Sequence, residues 1–163
     1  MTHGEMRQFE VKFKDEILSI LKENHILASF MNYELKHSSE HEDQKLSYDM
    51  IFHGKVEISI RIRRNEYLRY KDFTIRTRSK NGYECEIDKL INGKGNIYFY
   101  GWMCKDQISL VDWIIVDINK IRQHLSSNGY PLKNKDGTEF KAYSIVFLEK
   151  HDAIINQKYH LPF

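Results

Sequence analysis

The chain has little of what small proteins use to hold themselves together covalently. Cys85 and Cys104 are the only cysteines in 163 residues. They are too few for a disulfide framework and too far apart for a zinc knuckle, which suits a reducing compartment. No apolar run approaches the roughly 18 residues that a membrane span needs, and the N-terminus lacks the apolar core of a signal peptide, so a cytoplasmic protein without a membrane partner is expected. Internal repeats, low-complexity stretches and domain linkers are missing too. Neither sign of charge dominates: 25 Lys and Arg face 23 Asp and Glu, a net +2, so any nucleic-acid site must be local. There is no Walker loop, dinucleotide glycine fingerprint, HExxH, GxSxG or kinase motif. The Gly93–Asn96 stretch reads as a helix-to-strand turn, because a phosphate loop should follow a strand and open a helix.

What is present is an ordered globular composition, 41% hydrophobic and 13% aromatic, long enough to bury a core in one domain spanning 1–163. Phe9, Phe13, Ile17, Ile20 and Leu21 recur at three- and four-residue spacings, which predicts an amphipathic helix over 6–23 that covers a sheet. Residues 36–45 are polar and read as a mobile loop. Its His37, Glu40, His41, Glu42 and Asp43 have no fixed ligand spacing and do not define a metal site. From Leu46 the period becomes two. LSYDMIF, a His53-Gly54 turn and KVEISIRIRR predict a hairpin, with Val56, Ile58, Ile60 and Ile62 on one face and Glu57, Ser59, Arg61 and Arg63 on the other. DFTIRTRS alternates again, and if it pairs with the preceding strand their polar faces form one charged surface. A short helix around Tyr83, Ile87, Leu90 and Ile91 should end at Gly93. NIYFYGW and SLVDWIIVDI then read as buried strands, with Asp112 at a strand edge and Asp117 as a helix N-cap. INKIRQHLSS is expected as a helix and AYSIVFLEK as a strand. The fold class is α+β (α/β): a mixed sheet flanked by helices in the order α, β, β, β, α, β.

Acids on these strands are the candidate chemistry. Asp49, Glu57 and Asp72 lie on successive strands, where a curved meander could gather carboxylates for Mg²⁺ or Mn²⁺, hard cations that take oxygen ligands and activate water. Arg61, Arg63, Arg64, Arg76, Arg78 and Lys80 lie beside them, suited to a phosphodiester backbone. The opposing reading is a set of solvated cross-strand ion pairs, each worth under about 1 kcal/mol. Tyr67, Tyr70 and Tyr98 are candidates for stacking on bases, although tyrosines at strand positions are more often core.

The layout resembles the PD-(D/E)XK nuclease-like fold, carried by ISIRIRR (58–64), DFTIR (72–76), ECEIDKLINGKGN (84–96), YFYGW (98–102) and WIIVDINKIR (113–122). It is similar to the small phage and prophage members. The likeness covers roughly 46–125, leaving 126–163 as a C-terminal addition. It implies a metal-dependent nuclease acting on DNA, with Asp49 and Asp72 as metal ligands, Glu57 or Glu86 assisting, Arg76 supplying the cation, and Arg61, Arg63, Arg78 and Lys80 holding substrate. The second acid of the motif has two placements, Glu57-x-Ser59 and Asp72-x-Thr74, and the latter is preferred because Arg76 and Arg78 share its face. Neither contains the family's lysine, and an arginine is no general base. The resemblance therefore also implies an alternative: a non-catalytic relative that binds nucleic acid or a protein partner, such as a phage inhibitor of host defence, or that forms a homodimer.

Overall fold

The computed structural model describes residues 12–24, 35–37, 50–52, 56–78 and 84–158. Asp49, Lys80, Phe9, Tyr83, the His53-Gly54 turn and most of the polar 36–45 stretch lie outside these residues. No helix among the described residues is long and apolar enough to cross a membrane.

Helix α1 (Lys14–Glu23) is followed by strands β1 (Leu35–His37), β2 (Met50–Phe52) and β3 (Val56–Arg63), a 3-10 segment at Asn65–Tyr70, and β4 (Asp72–Arg78). Helix α2 (Glu86–Ile91), β5 (Ile97–Met103), β6 (Leu110–Asp117) and the short α3 (Ile118–Ile121) come next. Strands β7 (Tyr130–Lys133) and β8 (Glu139–Ser144), helix α4 (Ile145–Lys150) and β9 (Ile154–Lys158) complete the mixed α+β fold. The first sheet has the order β1-β2-β3-β5-β6-β9, the second β4-β8-β7. β3 and β5 are parallel, and every other pairing is antiparallel.

The expected three-strand meander therefore stops at β3. A parallel neighbour needs a crossover, and the stretch between β3 and β5 supplies it by placing β4 in the second sheet and α2 beside it. β4 pairs with β8 instead, Asp72 opposite Ser144 and Phe73 opposite Tyr143. The chain after residue 125 thus contributes β8 to that sheet and β9 to the edge of the first. SIVFLEK is helical rather than extended from Ile145 onward, because the Ser144 hydroxyl accepts the Phe147 N–H at 3.1 Å and caps a turn that buries Leu148.

Period-two alternation in β3 and β5 sends residues to two different cores. Ile58, Ile60, Ile97, Phe99 and Met103 pack with Phe13, Ile17 and Leu21, so α1 covers one face of the large sheet. Tyr98, Tyr100 and Trp102 on the other face join Phe73, Ile75, Ile87, Leu90 and Tyr143. Gly101 is the small residue of β5: a Cβ there would stand 3.2 Å from Ile62 and 3.3 Å from Leu110. Asp117 caps α3 as expected, accepting Asn119 N–H at 3.0 Å. Asp112 is not at a strand edge; it lies inside β6 opposite Trp102 of β5 and is fully buried.

Phe73 joins the two sheets, its ring 5.1 Å from Tyr98, 5.3 Å from Tyr100 and 6.3 Å from Tyr143, with no solvent exposure. Phe73→Ala is expected to destabilise the protein by about 3–5 kcal/mol in urea unfolding. A loss below about 1 kcal/mol would show that the sheets do not depend on this contact.

Candidate functional site

Arg61 and Arg63 extend from β3 on the face opposite the α1 core, toward β4 and the first turn of α2. Six residues that sequence reasoning put forward have contacts in this region: Arg61, Arg63, Thr74, Arg76, Glu86 and Asp72. The organising group is Glu86. Its Oε2 accepts Arg61 Nη1 at 3.3 Å and the Arg76 backbone N–H at 2.8 Å, and its Oε1 accepts the Tyr98 hydroxyl. Burial alone would lower the pKa of Arg61. The Glu86 carboxylate, with Tyr98 and Tyr100, outweighs that and holds the guanidinium above its ordinary range. Arg61 also lies over the Phe140 ring at 5.0 Å, and Arg76 approaches the same ring at 5.9 Å. Arg76 Nε is buried with no hydrogen-bond partner.

A second polar chain runs outward from the core. Tyr100 OH lies 2.9 Å from Thr74 Oγ1, which accepts Arg63 Nη1 at 2.7 Å. Arg63 then lies 4.1 Å over the Tyr67 ring. Asp72 is 6% exposed at the start of β4. Its carboxyl is pushed above the usual range by burial, against the opposing pull of Arg63 and Arg61.

Asp49 lies outside the described residues, and the other acids named for a divalent cation have the following surroundings. All three donors to Glu86 come from the protein, so the helix acid expected as a metal ligand is a structural hub. Asp72 sits where burial favours its neutral form. Glu57 is four residues back along β3 from Arg61, and its Oε2 accepts the Gly95 N–H at 2.7 Å. Among the described residues no group of three or more His, Cys, Asp or Glu could hold a metal ion. The arginines are also placed differently from a phosphate clamp. Arg61 and Arg63 are engaged inward, while Arg78 reaches Glu139 at 3.5 Å on the surface, where such a pair contributes little. Tyr98 is buried and no base can reach it.

A different feature is exposed. The 3-10 segment between β3 and β4 buries none of its residues. Residues 63–71 contain Arg63, Arg64, Arg69 and Lys71 against one acid, Glu66: net +3, more than the +2 of the whole chain. Tyr67 and Tyr70 are among these cations, with ring centroids 6.4 Å apart, and Arg69 lies 4.8 Å over Tyr70. As a plain connection the stretch has no periodicity to draw attention. Its signal in the sequence is the interleaving of arginine with tyrosine. No protein-family model matches this chain, and no curated protein matches it.

Removing the Glu86 charge leaves Arg61 buried without its carboxylate, so Glu86→Gln is expected to lower stability by roughly 3 kcal/mol. Unchanged stability in chemical unfolding would return Glu86 to the role of an open ligand. Asp72 has the opposite sign. Its folded carboxyl holds a proton more tightly than the unfolded one, so stability falls as pH rises above the ordinary aspartate range. Asp72→Asn should therefore raise the melting temperature at pH 7 and flatten its decline between pH 4 and 7. A lower melting temperature at pH 7 would mean that Asp72 is a needed anion.

Proposed function

We propose that this protein binds nucleic acid through residues 63–71, on a scaffold of the nuclease-like kind whose acids hold the fold together in place of a metal ion. The observation that carries this reading is the concentration of charge: four cations against one acid in residues 63–71, with Arg64 and Arg69 exposed, on a chain that is otherwise close to neutral. A polyanion gains from such a cluster by releasing its condensed counterions, which makes the interaction local and salt-dependent. Arg64 and Arg69 are exposed, and Lys71 is partly so. Arg63 serves the segment from beneath through Thr74. Hydrolysis by a metal-bound water is not part of the proposal, since Glu86 already accepts three protein donors and burial raises the pKa of Asp72.

The measurement is fluorescence anisotropy of a labelled 20-nucleotide DNA between 50 and 200 mM salt, with a parallel Mg²⁺ and Mn²⁺ digestion. Affinity should fall steeply with salt. Arg64→Ala with Arg69→Ala should lower the slope of log Kobs against log salt by about 1.4, the share of two phosphate contacts on a single strand. An affinity indifferent to salt would refute the binding reading. Metal-dependent cleavage abolished by Asp49→Ala would replace it with the hydrolytic one.

A further inference from the structure

We infer that Tyr67 and Tyr70 form a stacking platform for the bases of a single strand, a refinement that rests on the nucleic-acid reading above. Tyr70 is 53% exposed, and Tyr67 is partly exposed while packed against the inner core, in a segment with no buried residue. The two rings are neighbours, tilted by 39° with centroids 6.4 Å apart. A guanidinium lies at each end of the pair: Arg63 over Tyr67 at 4.1 Å, and Arg69 over Tyr70 at 4.8 Å with its Nη2 donating to the Tyr70 hydroxyl at 2.7 Å. Rings with cations beside them match a strand, whose bases offer flat π faces and whose backbone carries phosphates.

The array is also fixed in advance of binding. Arg63 is held by Thr74, and Thr74 by Tyr100 in the core, so the guanidinium behind Tyr67 does not have to be ordered when a ligand arrives. The segment itself is closed by Tyr67 N–H to the Arg64 carbonyl at 3.1 Å and Lys71 N–H to the Leu68 carbonyl at 3.2 Å. Lys71 is left-handed, with φ 48°, which turns the chain sharply into β4. A duplex hides its base faces inside its own stack and could use only the cations here. The class of ligand is therefore single-stranded nucleic acid.

The test compares a labelled 20-nucleotide oligo-dT, the same backbone made abasic, and a 20-base-pair duplex, each titrated with wild-type protein and with Tyr70→Leu. Tyr70 is exposed, so its replacement leaves the core intact, and circular dichroism checks this. Oligo-dT should bind the wild type more tightly than either other probe and lose about tenfold in affinity on Tyr70→Leu, while the abasic strand is unaffected by the substitution. Tyr70→Phe, which keeps the ring, should restore oligo-dT binding. Equal affinity for all three probes, with Tyr70→Leu neutral, would overturn the stacking inference while leaving a phosphate-binding protein. Failure of every probe to bind at 50 mM salt would overturn both.

Discussion

The Glu86 carboxylate is the group on which the two-sheet arrangement turns. It sits at the start of α2, receives Arg61 from β3, the main chain of β4 at Arg76 and the Tyr98 hydroxyl of β5, and so ties four elements of different sheets to two oxygen atoms. Charged groups so little exposed, with side-chain values of 11% for Arg61 and 21% for Glu86, cost desolvation energy unless each is fully paired. Here the pairing is supplied by donors whose positions require β3, β4, β5 and α2 to be in place together.

The same interface transmits order outward. β4 lies against the large sheet with both faces in use: Phe73 and Ile75 enter the apolar core, while Thr74 joins Tyr100 to Arg63. Because Arg63 is the last residue of β3, whatever fixes it also fixes the beginning of the 3-10 segment that follows. The cationic tyrosine array is thus an extension of the interior hydrogen bonding, built on a short connection and anchored at one end. Glu86, one of the acids a hydrolytic reading would use, is already paired with Arg61, whereas the binding reading rests on residues 63–71.

Much of the architecture was legible from periodicity. The α1 stripe of Phe13, Ile17 and Leu21, the alternation of β3, the apolar runs of β5 and β6 and the Asp117 cap all appear where local pattern puts them. The pairing of β4 was not legible, since an alternating strand has the same pattern whichever neighbour it takes, and its neighbour β8 lies more than sixty residues further on. Nor was the helix at Ile145–Lys150, where an apolar run of four residues fits either period and only the Ser144 cap decides. Among the site candidates, Arg61, Arg76 and Glu86 meet in the folded protein, which no local pattern specifies, because only the fold brings β3, β4 and α2 together.

By itself, then, the sequence determined which positions are apolar, where the period changes and that opposite charges crowd the strands around residue 70, because these are properties of nearest neighbours along the chain. Only the tertiary structure decided that Glu86 meets Arg61 across 25 residues, that Asp72 is buried and that Tyr70 remains outside, because desolvation and hydrogen-bond saturation depend on what distant segments bring to the same few ångströms.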